Sequence, residues 1–302
     1  MSANYERKIV IVGKTGNGKS SLGNVLLGRR AFDEARSFNA ITKECKVETD
    51  KGNVSIVDTP GLFDSDGEKN FVMQALEVQK AIKLCPNPHA FLIVLNGSTR
   101  LTQEELSTID VLRIIFGEQC LTRAIIVLTH IENNEDETQL RGRFGKSDGM
   151  SNLIKQCGNR FARIDNREPK PEHKERINSL VDQVSRAGKV SFKNEFLYVR
   201  EQVLQKALKT HDSGKVHEQI KRLSEQIKHA EEEEFNRKCW KAAGVGAAAG
   251  AGAVCVVAGI AYLGGGSEAV ATVVTNPETA QVVIEKSVNV ATGMIGFISS
   301  AH

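Results

Sequence analysis

Residues 9–23 read Ile9-Val10-Ile11-Val12-Gly13-Lys14-Thr15-Gly16-Asn17-Gly18-Lys19-Ser20-Ser21-Leu22-Gly23. The unbroken β-branched run at 9–12 predicts a strand buried on both faces. Gly13, Gly16 and Gly18 then permit backbone angles that other residues avoid, and a helix is expected from Ser21 to Leu27. The spacing Gly13-x4-Gly18-Lys19-Ser20, with a strand before and a helix after, is the phosphate-binding loop pattern in its required setting. Successive N–H groups of Gly13, Lys14, Thr15, Gly16, Asn17 and Gly18, continued by Lys19, Ser20 and Ser21 at the helix start, would converge on a polyanion. Lys19 would add a point charge to the outer phosphates, and the Ser20 hydroxyl would be a ligand of Mg²⁺. A plain glycine-rich turn would account for the glycines but not for Lys19 followed by Ser20.

A second constellation, Asp58-Thr59-Pro60-Gly61, follows the predicted strand 54–57. A carboxylate at the end of a strand in a parallel sheet lies by the crevice that the loop also faces. Asp58 would hold Mg²⁺ through its water shell, and the Gly61 N–H is placed to sense a third phosphate.

Working outward, 302 residues with 40% hydrophobic and 25% charged side chains are enough for one large domain or two small ones. The net charge of +3 supplies no basic field that would point to nucleic acid, and no nucleic-acid partner is expected. Six cysteines stand far apart with no Cys-x-x-Cys pair, which argues for a reduced, cytoplasmic setting without a zinc site or disulfide framework. The polar N-terminal stretch carries no apolar signal segment, and position 2 is not glycine, so neither export nor myristoylation is expected.

From residue 7 to about 208, strands alternate with helices. Strands are expected at 8–12, 54–57, 90–95, 124–128 and, weakly, 163–164; helices between them include 71–84 and 103–116. Thr102 with Glu105 forms a capping box for the latter. This order predicts an α/β fold, a P-loop NTPase domain with a mainly parallel sheet and helices on both faces. Residues 133–150 read as a mobile loop. A charged helical extension is expected at 209–241. Its narrow seam Ile220, Leu223, Ile227 suits packing on the chain's own body or, alternatively, a coiled coil with a partner helix. Residues 242–302 form an Ala/Gly-rich hydrophobic tail. Its first 22 residues lack charge, carry Gly246-x3-Gly250, and follow Arg237, Lys238, Trp240 and Lys241. That stretch would suit a membrane anchor with the body on the cytosolic side, or an Ala-rich helix tucked on the body.

Asp58-Thr59-Pro60-Gly61-Leu62-Phe63-Asp64 resembles the immunity-associated GTPases (GIMAP, the AIG-type group), which are related to Toc and septin GTPases. Ala40-Ile41-Thr42-Lys43-Glu44-Cys45 is similar to their first switch, which assigns Thr42 to the Mg²⁺ shell. Gly97-Ser98-Thr99-Arg100-Leu101-Thr102-Gln103-Glu104-Glu105 resembles the box between their third and fourth motifs. Phe116-Gly117, Asp165-Asn166-Arg167 and the stretch from Ala187-Gly188-Lys189 to Glu195-Phe196 extend the likeness over residues 6–208. The resemblance implies binding of GTP and GDP with Mg²⁺. It also implies a tail that often anchors to membranes, and it aligns Arg100 with an arginine inserted across a homodimer interface.

Thr129-His130-Ile131-Glu132 departs from the usual Asn-Lys-x-Asp base-reading motif. Glu132 would accept from the guanine N1–H and N2–H₂, which adenine lacks on that edge; Asn133 or Asp136 are substitutes. His130 would lie on the base plane, and Asn166 near O6. Leu62 stands where many GTPases place a water-orienting glutamine, so slow turnover is expected, with Arg100 as the compensating charge. Thr99 and Glu104 are further interface candidates. The reading is a slow GTPase whose nucleotide state, through Thr42 and Gly61, controls self-assembly on the cytosolic face of an intracellular membrane. The alternative is a GTP-loaded scaffold that does not hydrolyse. An ATPase or kinase, and a structural membrane protein with a regulatory domain, are the remaining rivals.

Overall fold

The computed structural model describes residues 6–34, 44–62, 71–99, 102–131, 137–144, 148–187, 196–209, 216–242, 255–263 and 266–274. Thr42, Arg100, Glu132, Asn133, Asp136 and the small-residue motif at 246–250 lie outside them. The chain divides into two compact units, Met1–Ile227 and Lys228–His302.

In the first unit the strands are β1 (Arg7–Gly13), β2 (Lys46–Thr49), β3 (Val54–Asp58), β4 (Ala90–Asn96), β5 (Ala124–Thr129) and β6 (Phe161–Arg163). They form one sheet in the order β2-β3-β1-β4-β5-β6, with only β2 antiparallel. The last strand begins two residues earlier than expected, and β2 was not anticipated: Lys46-Val47-Glu48-Thr49 is short and nearly all exposed. It is an edge strand stabilised by pairing with β3 rather than by burial of its own side chains.

The helices of this unit are α1 (Lys19–Leu27), α2 (Phe71–Gln79), α3 (Ala81–Leu84), α4 (Gln103–Phe116), α5 (Glu137–Phe144), α6 (Asp148–Gln156), α7 (Pro171–Ala187) and α8 (Leu197–Lys209), together with the start of α9 (Val216–Ala242). The helix expected over 71–84 is two, α2 and α3. Residues 133–150, expected as a loop, contain α5 and the start of α6. Polar composition hid them, because few apolar residues turn inward: Leu140 of α5, and Met150, Leu153 and Ile154 of α6.

Each central strand feeds both sides of the sheet, as period-two side chains must. Val10, Val12, Val57, Phe91, Ile93, Leu95, Ile126 and Leu128 join one apolar cluster with α2, α4, α6 and α8. Ile9, Ile11, Ile56, Leu92, Val94, Ile125 and Val127 join the other with α1 and α7. Ile220, Leu223 and Ile227 of α9 belong to the first cluster, so this seam packs on the chain's own body. Arg7 on β1 clamps α7 through two parallel bonds to Asp182, Nε–Oδ1 2.7 Å and NH2–Oδ2 2.9 Å.

In the second unit β7 (Cys255–Leu263) pairs antiparallel with β8 (Gly266–Val274). The latter half of the charge-free stretch is therefore a strand rather than the helix expected of an Ala-rich segment. No helix among the described residues is long and apolar enough to cross a membrane.

Candidate functional site

β1 lies between β3 and β4 and runs parallel to both, so the chain leaves the sheet in opposite directions on its two sides. Ligand crevices open at such a switch point, beyond the strand ends. The register puts those ends together: Ile11 faces Asp58, Gly13 faces Val94, Asn96 faces Thr129, and Leu128 faces Arg163.

The phosphate-loop segment forms as the glycine spacing predicts. Gly16 and Gly18 take φ of 84° and 82°. Gly13 is needed for space as well, because a β-carbon there would stand 2.4 Å from Val94 O. Gly18 precedes α1 and offers no side-chain cap, and no acidic residue occupies the helix's first turn. The uncapped N–H groups of α1 thus add their partial positive charge to the mouth of the loop. Lys19 is 6% exposed, and its Nζ donates to Lys14 O at 3.1 Å, so the ammonium folds over the loop. Ser20 Oγ donates to Asp58 Oδ2 at 2.6 Å across 38 residues of chain. A hydroxyl and a carboxylate meeting beside a buried lysine form a hard-oxygen donor set that suits Mg²⁺.

Ser21 Oγ instead donates to Glu34 Oε2 at 2.8 Å. The Asp58–Gly61 segment leans on the loop. Leu62 N donates to Gly13 O at 3.1 Å, and Leu62 pairs with Lys14. Gly61 sits so close that a β-carbon would fall 1.6 Å from Thr15 Oγ1. Thr59 Oγ1 donates to Ile11 O at 2.8 Å and pins the segment to β1.

The opposite wall comes from β5 and β6. His130 adopts a left-handed φ of 54°, an uncommon angle for a residue with a β-carbon, and its Nε2 lies 3.1 Å from Gly16 O. Asn166 Nδ2 donates to Gly18 O at 3.0 Å. Its Oδ1 is buried and accepts no hydrogen bond among the described residues. The amide thus turns its donor toward the loop and leaves its oxygen as an acceptor. That oxygen suits the N–H of a ligand better than the carbonyl oxygen expected from the sequence.

Two residues, Thr129 and Glu105, were missed as site residues. Thr129 heads the expected base-reading stretch without a role of its own, yet its Oγ1 donates to Asn17 O at 2.6 Å and ties β5 to the loop. The Asn17 side chain donates to Val94 O at 3.0 Å and to Glu105 Oε1 at 2.9 Å. Glu105 does complete the capping box with Thr102, as expected. Its second task leaves no trace in local spacing, since Asn17 is 88 residues away in sequence.

The described cysteines Cys45, Cys85, Cys120 and Cys157 are free. Burial pushes Cys45 and Cys157 up to about 12 and Cys85 up to about 11, so these thiols stay protonated and poorly nucleophilic.

Immune-associated nucleotide-binding protein 7 of Arabidopsis thaliana is 32% identical over 198 residues, which cover 62% of this chain and 63% of that protein. Protein 10 of the same series, also from Arabidopsis thaliana, is 32% identical over 194 residues, covering 60% of this chain and 41% of its own length. The chain therefore matches less than two thirds of either relative. Toc33 from Arabidopsis thaliana, solved in complex with Mg²⁺ and GMPPNP, aligns with 20% identity over 60% of this chain and 83% of its own, at a TM-score of 0.43. A family model described as the AIG1 family matches residues 7–230. That span takes in the phosphate loop, the Asp58 segment and the whole six-stranded sheet, and the chain belongs to the AIG1 family.

Proposed function

We propose that this chain binds GTP or GDP with Mg²⁺ at the loop of residues 13–20. On this reading it hydrolyses GTP slowly and uses the third phosphate to control pairing with a second copy. The observation that carries the reading is the 2.6 Å contact of Ser20 Oγ with Asp58 Oδ2 beside the buried Lys19. Two motifs far apart in sequence converge there on one point of hard oxygens and positive charge. The loop N–H groups and the start of α1 would cradle the phosphates, and Lys19 would neutralise the outer ones. Ser20 would hold Mg²⁺ directly and Asp58 through its water shell, with Thr42 completing the shell; the bound ion would supply charge neutralisation between the outer phosphates. Gly61 would donate its N–H to the third phosphate. His130, Glu132 and Asn166 would read the base.

Self-assembly rests on Arg100, aligned with an arginine that acts across a dimer, and membrane association rests on the charge-free composition of residues 242–263. Both are part of the proposal, as is a position on the cytosolic face of an intracellular membrane. Flotation of the full chain with liposomes tests the tail; a chain that stays at the bottom removes the anchor.

Leu62 favours a second reading, a GTP-loaded scaffold without catalysis. It is fully buried and hydrogen-bonded into the loop through its backbone, and an alkyl chain cannot orient water.

Calorimetry with GTP, GDP and ATP in Mg²⁺, followed by hydrolysis rates across protein concentration, tests both readings. Guanine nucleotide affinity with a rate that climbs with concentration, and loss of that climb in Arg100→Ala, is expected of the dimer enzyme. Tight GTP without hydrolysis at any concentration selects the scaffold. No guanine nucleotide binding overturns both, and equal affinity for ATP removes the role assigned to Glu132.

A further inference from the structure

Glu105 is 2% exposed and its two carboxylate oxygens are divided between different parts of the chain. Oε1 accepts from Asn17 Nδ2 in the phosphate loop at 2.9 Å and from the Asn96 backbone N at the end of β4 at 3.3 Å. Oε2 accepts from the Thr102 backbone N at 3.1 Å and from Thr102 Oγ1 at 3.4 Å, at the start of α4. One side chain therefore holds the phosphate loop and both ends of the connection between β4 and α4. Helix capping alone asks for only one oxygen, the one on Thr102.

The geometry resists independent movement of these parts. Asn17 Nδ2 donates to Val94 O as well as to Glu105, so turning its amide would set an oxygen against that carbonyl. A buried carboxylate that loses a donor bears the desolvation cost of the bare oxygen. Whatever fixes the backbone at Asn17 thus also fixes Asn96 and Thr102.

We infer that Glu105 is a positioning residue that couples occupation of the phosphate loop to the ordering of Asn96 and of the Thr102 end of α4; this rests on the nucleotide-binding reading above. The ligand is a nucleoside triphosphate, and the coupling acts both ways. Anything that holds the β4–α4 connection in place would tighten the nucleotide by the same factor.

Hydrogen exchange of the full chain, with and without a non-hydrolysable GTP analogue and Mg²⁺, reads the coupling. In the parent, amides 14–20 slow on binding, and amides 96–98 and 102–106 slow with them by about fivefold or more, the lower end of ordinary coupling between sites. Glu105→Gln keeps an acceptor for the Thr102 N–H but turns a donor toward Asn17. It is expected to retain slowing at 14–20 and to lose it at 96–98 and 102–106. Asn17→Ala, which leaves the cap intact, is expected to weaken nucleotide binding and, at saturating nucleotide, to lose the slowing at 96–98 and 102–106; it carries the test should the first variant not fold. Variants that slow at 96–106 like the parent overturn the inference. So does a parent that responds at 14–20 alone, with nucleotide binding left standing. A parent that responds nowhere removes the nucleotide-binding reading and this inference together.

Discussion

Gly61 and Thr15 are in such close approach that a β-carbon on the glycine would fall 1.6 Å from Thr15 Oγ1 and 2.7 Å from the Thr15 backbone nitrogen. The hydroxyl can rotate away, but the nitrogen belongs to the phosphate loop and cannot yield without moving the loop. Glycine at this position is thus a packing requirement, independent of any contact its N–H makes.

Gly61→Ala is therefore expected to push the Asp58–Leu62 segment off the loop. Overpacking of this kind costs about 1–3 kcal/mol, and if that cost falls on the bound state GTP affinity should drop by roughly 5- to 150-fold. Calorimetry checks it. Unchanged affinity would mean that the segment swings clear of Thr15 whenever nucleotide is bound.

Ser20→Ala removes the hydroxyl that meets Asp58 at 2.6 Å. Losing a residue that merely hydrogen-bonds a metal's ligand commonly costs about 10–100-fold in metal affinity, and removal of a direct ligand should cost at least the lower figure. The expected signature is selective: GTP affinity measured in excess chelator stays close to the parent, while the gain on adding Mg²⁺ disappears. A variant that keeps the full Mg²⁺ gain would show that Ser20 is no ligand.

Leu62→Gln would install the side chain that many GTPases use to orient water, yet no gain in hydrolysis is expected. Leu62 is fully buried within the cluster that includes Val12, Val57 and Phe71. The new amide would enter that core without assured partners, at a cost of about 1–3 kcal/mol. The variant should melt earlier and hydrolyse no faster. A faster, equally stable enzyme would show that position 62 can turn toward the phosphates.

The sheet was legible because its signal is local. The β-branched run at 9–12 and the apolar runs at 90–95 and 124–128 are fully buried strands, and such strands announce themselves by composition. The edge strand at 46–49 was not legible, since its residues are exposed and its stability comes from a partner. At the site, the glycine spacing pointed to Lys19 and Ser20, and a carboxylate at a strand end pointed to Asp58, because local geometry dictates those residue types. Glu105 and Thr129 were invisible as site residues. Their roles depend on reaching Asn17 across 88 and 112 residues, and no local spacing encodes that.

The Arg7–Asp182 clamp gives the stability curve a predictable acid limb. Two hydrogen bonds from the guanidinium, chiefly, hold the Asp182 carboxyl below its ordinary value of 3.8. A carboxyl depressed in the folded state stabilises above its unfolded pKa, and that contribution is lost as pH falls through the folded value. Asp182→Asn should lower the unfolding midpoint at pH 7. The gap between variant and parent should start to narrow as pH drops below about 3.8 and close only below the lower folded value, where the carboxyl is neutral in both states. Denaturant titrations at pH 7, 5 and 3 would show it. A gap that persists undiminished at pH 3 would assign the loss to packing instead of charge.

Leu223 decides between the two partners that its helix could have. It is 1% exposed within the same apolar cluster as Leu204 of α8 and Phe116 of α4. Truncating a leucine so placed removes the transfer energy of its methyl groups and leaves a cavity, at a cost of about 2–5 kcal/mol. For a unit of this size each kcal/mol lowers the melting point by about 2–4 °C, so Leu223→Ala should melt roughly 4–20 °C below the parent. Because the contact lies within one chain, the difference should hold constant over a hundredfold range of protein concentration. A helix that instead pairs with a second copy would couple stability to association, and the melting difference would grow with concentration. That result would return the Ile220, Leu223 and Ile227 seam to the coiled-coil reading.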